Sequence, residues 1–314
     1  MPSAPLVAIG GALLLALLAA ALLRYDATVA LGIALSAFVA FQPAPTDIVL
    51  GVVIVVALIT GRFDLARVPA WATVLIGALL ALNAISLATA ISESGAIAFL
   101  AVTLFVVGFA MWLAGYVDSP TRARAVVLAY GGAALISALL GTAALLAPIP
   151  GHDTLLYNGC CRAQGLFKDP NVFGPFLIPA AIILIEELLT PRLLPGRRAL
   201  KTVALAVLCV GILVSYSRAA WLDLAVAVVV LLLVLLLRRR GARTAAALLI
   251  TIAALGGTVF AYLAATGQEG FVRERAALQT YDSSRFAAQG GGIGLAERYP
   301  LGVGPGQFDA HEPI

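Results

Sequence analysis

Charged side chains are scarce in this 314-residue chain: 20 Lys and Arg and 16 Asp and Glu make up only 11% of it, against 62% hydrophobic residues. Apolar surface on that scale exceeds what a core of this size can hide. The composition therefore excludes a water-soluble globular enzyme, a disordered chain and a nucleic-acid-binding domain. Lipid is the solvent that remains, and a mean hydropathy of +1.03 agrees.

Cysteine is nearly absent. Cys160, Cys161 and Cys209 are too few for a disulfide framework, and adjacency strains a bond between the first two, so all three are expected as thiols. Two histidines, His152 and His311, without a cysteine cluster are too few for a protein-built zinc site. No metal and no other cofactor is expected. The first five residues carry no basic side chain, so the N-terminus lacks the charged region of a secretory signal and reads as the start of a spanning helix.

What the chain has in abundance is uncharged apolar runs. A helix crosses roughly 30 Å of hydrocarbon with about 20 residues. Runs at 6–23, 27–41, 48–60, 70–91, 95–117, 125–147, 172–189, 202–216, 219–237 and 244–266 predict an all-α, polytopic membrane bundle of about ten spans. The second and third are short enough to form a re-entrant pair instead, and either arrangement returns the chain to the same side.

Between 202 and 237 only Arg218 and Asp223 interrupt the apolar sequence, and one straight helix there would be roughly 54 Å long, too long for a single crossing. Arg197, Arg198 and Lys201 precede the stretch and Arg238, Arg239 and Arg240 follow it. The positive-inside rule then places both ends in the cytoplasm, with a turn outside near Ser215, Tyr216, Ser217 and Arg218. Extending the alternation leaves only Arg162, Lys168 and Arg218 as basic residues on outer loops, plus Arg273, Arg275, Arg285 and Arg298 on the tail. The expected organisation is membrane helices over 1–148, an extracytoplasmic loop over 149–171, membrane helices over 172–266 with the outer turn at 215–218, and an extracytoplasmic tail over 267–314. The inner arginines, Arg238 to Arg240 and Arg243 among them, are expected only to set orientation and touch anionic headgroups.

Basic residues on an outer face need a reason, because the rule predicts few of them there. Arg218 at a tight turn has an ordinary explanation, a guanidinium snorkelling to the interface. Its neighbours Ser215, Tyr216 and Ser217 add hydroxyls, and a planar donor beside hydroxyls suits an oxyanion such as a diphosphate. The run Gly165-Leu-Phe-Lys168-Asp169-Pro170-Asn171 leads into the seventh apolar stretch. Asp169 or Asn171 can cap that helix, and Arg162 and Lys168 would then stand beside free amides that attract phosphate. In the tail, Gly302, Gly304 and Gly306 follow no strand and lack dinucleotide spacing, so they predict tight turns that bring backbone close to a ligand or a neighbouring helix.

Taken in order, Gly165 to Asn171, Tyr216-Ser217-Arg218, and Ser284-Arg285 followed by Pro300-Leu-Gly302-Val-Gly304-Pro-Gly306 resemble the O-antigen ligase and polymerase family, over about residues 150–310. Members are bacterial inner-membrane enzymes similar in fold to type C glycosyltransferases. The resemblance implies a metal-independent, inverting glycosyltransferase that moves a glycan from undecaprenyl diphosphate to a lipid or a growing polysaccharide on the outer face. It implies Arg218 and Arg285 as diphosphate ligands, Lys168 and Arg162 as helpers, and Asp169, Asn171, Ser217, Gly302 and Gly304 as supporting residues. His311 stands nearest the family's histidine base, but the family's base comes later and precedes further helices. The tail therefore reads as truncated, with Asp282, Glu297 and Glu312 as fallback bases.

Two other classes compete. A transporter would place ionisable groups at mid-bilayer, where this chain has little beyond Asn83, expected to bond across helices, and Asp223 one turn inside the outer interface. A non-catalytic scaffold of a polysaccharide assembly complex fits a chain that lacks its base. Membrane lipids are partners under every reading, and nucleic acid under none.

Overall fold

The computed structural model describes residues 4–41, 43–237 and 282–311, together with 250, 253, 256, 257, 261, 265 and 267, the side chains of 4–8 and 282 excepted. Among these the chain is helical, and the one β feature is an isolated antiparallel bridge between Leu156 and Ala163. The expected run at 244–266 and the arginines at 238–240, 243, 273 and 275 lie outside the described residues.

The chain divides into two compact units, Met1–Val53 with Ser119–Ala276, and Ile54–Asp118 with Ala277–Ile314. In the first unit, α1 (Ala4–Leu23) breaks at Arg24 before α2 (Tyr25–Ala34). The long α6 (Pro120–Leu146) starts where Ser119 accepts from the Arg122 amide and Pro120 occupies the first helical position, and it stops two residues before Pro148. A short helix, α7 (His152–Leu155), opens the loop that follows. Next come α8 (Pro170–Leu189), α9 (Arg198–Val214) and α10 (Arg218–Leu237). Helix α3 (Pro45–Ile59) runs across the division in sequence. In the second unit are α4 (Ala70–Ile85), α5 (Glu93–Tyr116), α11 (Asp282–Arg298) and α12 (Phe308–His311).

Helix α8 is the centre of the first unit and packs against α6, α9 and α10. Its buried face carries Phe173, Leu177, Ile178 and Ile185, which join Leu205, Leu208 and Ile212 of α9 in one core. Glycines let the axes approach. A Cβ on Gly174 would lie 2.7 Å from both Ala220 and Ser215, and one on Gly211 would lie 2.8 Å from Leu177 and 2.9 Å from Ala138.

Among the described residues, five helices are long and apolar enough to cross a membrane: Ala70–Thr89, Glu93–Tyr116, Pro120–Leu146, Pro170–Leu189 and Arg218–Leu236. The expected runs at 27–41 and 48–60 form short apolar helices, Tyr25–Ala37 and Pro45–Ile59, and a 15-residue helix rises only about 22 Å against roughly 30 Å of hydrocarbon. These are the two segments whose lengths left a re-entrant pair open. Helix α1, at 20 residues, has the length of a span and ends at Arg24, where its run was expected to end. Helix α9 has 17 residues.

The cysteine expectation is corrected: Cys160 and Cys161 are joined as a vicinal disulfide, while Cys209 is a buried thiol. The bend of the loop, with Cys161 in the left-handed region at φ 67°, turns the two side chains toward each other.

Helix α11 runs through Gly290, Gly292 and Gly294, a costly composition for a helix. A Cβ at Gly290 or Gly294 meets open space. Each Gly→Ala change is expected to stabilise α11 by about 0.5 to 1 kcal/mol, read as a small rise in melting temperature by thermal shift. A fall would show that the helix is not the conformation these glycines adopt.

Candidate functional site

The first unit brings together two of the three motif segments singled out in the sequence. Helix α9 ends at Val214 and α10 starts at Arg218, as the length of the apolar run demanded. The turn between them is held by its own side chains. Tyr216 sits in the left-handed region at φ 49° and is fully buried. Ser215 Oγ donates to the Ile212 carbonyl at 2.6 Å and accepts from the Ser217 amide, and Ser217 Oγ accepts from the Ala220 amide at 3.4 Å. Both serine hydroxyls are buried and cap backbone.

The loop before α8 closes over this turn. Its backbone folds back at the Leu156–Ala163 bridge, and the Ala163 amide donates to the Val214 carbonyl at 2.9 Å. Gly165, at φ +55°, lies against α6, where the Leu166 amide donates to Ser137 Oγ at 3.1 Å. These bonds aim Arg162. Its Nε donates to the Ser215 carbonyl at 3.0 Å, its Nη2 donates to Asn171 Oδ1 at 3.2 Å, and its guanidinium lies 5.6 Å from the centre of the Tyr157 ring. Of the two capping candidates, Asp169 caps α8, accepting from the Asn171 amide at 2.7 Å, with Pro170 next. Lys168 is exposed on the same loop and Arg218 is half-buried at the first position of α10.

The N-terminal halves of α8 and α10 thus converge, since Gly174, one turn into α8, packs so closely on Ser215 and Ala220 that an added Cβ would lie 2.7 Å from each. Each carries the positive end of a helix dipole, and Arg162, Lys168 and Arg218 add three cations against the single capping carboxylate of Asp169. The arrangement favours an oxyanion. Asp-Pro and Ser-Arg were each readable in the sequence as helix starts. That the two starts meet was not, because 48 residues separate Pro170 from Arg218.

The remaining candidates belong to the second unit. Gly302, Gly304 and Gly306 all have positive φ, at 96°, 97° and 66°. They lay the loop against the end of α4 and the start of α5: Thr89 Oγ1 donates to the Gly302 carbonyl at 2.9 Å and the Ser92 amide donates to Gln307 Oε1 at 2.8 Å. Of the two purposes expected for these glycines, close approach to a neighbouring helix is the one observed. Between loop and helix is a cleft of about 410 Å³ lined by Asn83, Ser86 and residues 300–305. Asn83 does not bond across helices as expected. It donates to the Leu79 carbonyl of its own helix and borders this cleft.

His311 lies at the end of α12 with Nδ1 3.0 Å from the Gln307 carbonyl and its ring edge on Tyr299. A carbonyl can only accept, so Nδ1 carries a proton, and in the neutral ring the lone pair is on Nε2. Arg285 is exposed in the first turn of α11, and Glu297 is exposed in its last. The side chain of Asp282, and Glu312, lie outside the described residues. No group of three or more His, Cys, Asp or Glu side chains gathers among the described residues.

The sequence reading also missed a site of another kind. Lys201, expected to flank a helix at the membrane surface, is buried and donates to Glu187 Oε2 at 2.9 Å, with both side chains under 10% exposed. Glu187 accepts in addition from the amides of Arg192, Leu193 and Leu194. A Glu and a Lys 14 residues apart on either side of a Pro-Gly turn are the only signal the sequence offers.

Residues 203–313 match the O-antigen ligase family, a stretch that starts in α9 and takes in Arg218, Arg285, the glycine loop and His311. No curated protein and no solved structure matches the chain.

Proposed function

We propose, from the O-antigen ligase domain carried at residues 203–313, that this chain is a multi-pass glycosyltransferase of the bacterial inner membrane, with about ten spans. It moves a glycan from undecaprenyl diphosphate to a lipid or growing polysaccharide acceptor on the outer face. The observation that carries the reading is Arg162, bonded at once to Ser215 and Asn171, which draws two helix N-termini to one place beside Arg218. Cations held in place before the reaction stabilise charge that develops in a transition state more than charge already present.

In the reaction, the acceptor hydroxyl oxygen attacks the anomeric carbon from the face opposite the diphosphate. The carbon–oxygen bond to phosphate breaks, the electron pair leaves with the diphosphate, and configuration inverts. Arg162, Lys168, Arg218 and Arg285 receive the added charge, in the manner of bidentate guanidinium–phosphate pairs. His311 Nε2 takes the acceptor proton, its ring held in the correct tautomer by the Gln307 carbonyl. Asp169 and Ser217 shape the site as helix caps, and Gly302 and Gly304 shape the loop before the histidine.

The test is binding of undecaprenyl diphosphate to the purified protein. Arg218→Ala and Arg285→Ala are each expected to weaken it roughly ten- to a hundredfold, the loss of a charged hydrogen-bonding group. His311→Ala should bind as wild type does, because its task is proton transfer. Equal affinity in all four proteins would sink glycan transfer and leave a transporter or a scaffold as the better account.

A further inference from the structure

A second feature of the first unit lies away from the oxyanion site, at the opposite ends of α8 and α9. A cleft of about 230 Å³ opens between α6, α8 and α9, lined by apolar groups that include Val127, Gly132, Ile183, Leu194, Ala204 and Leu208. Gly131 and Gly132 form part of its wall, and a Cβ on either would meet nothing within 4 Å, so the space beside α6 is open.

Its depth is that of one leaflet. At 1.5 Å per residue, Ala204 and Leu208 stand about 9 and 15 Å along α9 from Arg198, and Ala180 stands about 13 Å from the end of α8, roughly half of a 30 Å hydrocarbon core. The occupant therefore enters from the end where α8 stops and α9 begins, and its buried part is hydrocarbon.

That same end is basic. Arg124 lies one turn before Val127 on α6, Arg192 and Arg197 lie between α8 and α9, and Arg198 opens α9, all four exposed and making no ion pair among the described residues. Among the described residues, other charges toward this end are engaged: Arg122 with Asp26, Lys201 with Glu187, and Glu186 with the Thr190 hydroxyl. An apolar slot one leaflet deep with unpaired guanidinium groups at its mouth matches a chain carrying a phosphate at its end.

We propose that this cleft is a binding site for an anionic phospholipid of the inner leaflet, with an acyl chain between α6, α8 and α9 and the phosphate held by Arg197 and Arg198 with Arg124 or Arg192. Neither Arg218 nor His311 takes part, so loss of lipid selectivity and loss of donor binding are separable.

Native mass spectrometry of the full chain in detergent, offered equal phosphatidylglycerol and phosphatidylcholine, tests it. Wild type is expected to retain phosphatidylglycerol on the order of tenfold better, from two or more surface arginines. Arg197→Gln with Arg198→Gln should erase that preference. Gly132→Leu, which fills open space and so leaves the fold intact, should expel the retained lipid of either kind. Equal retention of both lipids by wild type would identify ordinary annular lipid and overturn the site, as would a preference that survives both changes. Displacement by free glycerol phosphate at the same concentration would overturn it too, since the headgroup alone would then suffice.

Discussion

Glu187→Ala is expected to destabilise the protein by about 3 to 5 kcal/mol, the cost of breaking a buried ion pair from one side. The carboxylate serves four donors: Arg192 and Leu193 amides on Oε1 at 3.0 and 2.7 Å, and the Leu194 amide and Lys201 Nζ on Oε2 at 3.2 and 2.9 Å. Removing it strands a buried ammonium and unpairs three amides at once, and each stranded group carries its own desolvation cost. The turn at 190–197 then keeps the bonds of Thr190 to Glu186 and the packing of Leu194 at the cleft. Lys201→Met should cost less, because the three amides keep their acceptor. Glu187→Gln combined with Lys201→Met should recover much of the loss, since it removes both charges and leaves an amide oxygen for the backbone. Thermal unfolding in detergent checks the series. If Glu187→Ala melted with wild type, the pair would be a surface contact.

Gly165→Ala is the second large effect, expected to cost about 2 to 5 kcal/mol from two sources: left-handed backbone in a residue with a Cβ, and overlap in a packed space. The added carbon would lie 2.5 Å from Ser137 Oγ, 2.8 Å from the Ser137 carbonyl and 3.0 Å from the Phe173 ring. Ser137 cannot yield easily, because it is fully buried and its Oγ holds the Leu166 amide. The loop must lift from α6 instead, and Arg162, three residues earlier, loses its bond to the Ser215 carbonyl. Gly131→Ala, in open space on α6 and with ordinary helical backbone, is the control and should be neutral or slightly stabilising. The expected result is a lower melting temperature with weaker undecaprenyl diphosphate binding for Gly165→Ala alone. Equal melting of the two variants would show that the loop does not pack on α6.

Much of the candidate site was readable one piece at a time. Asp169-Pro170 is a helix start by cap chemistry, the break near Ser215 follows from a run too long for one crossing, and the glycines at 302, 304 and 306 signal turns. Lys201 was misplaced because a charge at the end of an apolar run looks the same whether it faces headgroups or a buried carboxylate. A run of uncharged residues gives hydrophobicity but not the point where a helix turns, so the 3-10 turn at 35–37, which ends the second helix before Phe38, was not legible in it. Cys160 and Cys161 were judged on spacing alone, which does not report how the backbone bends between them.

By itself the sequence determined the solvent, the helical class and the places where helices start, because hydrophobicity, charge bias and caps are properties of short stretches of chain. Only the tertiary structure decided that Arg162 meets Ser215 and Asn171, that Lys201 meets Glu187, and that α6, α8 and α9 leave an apolar cleft. Those depend on which helix packs beside which, a matter settled by the shapes of glycine-lined contacts between segments tens of residues apart.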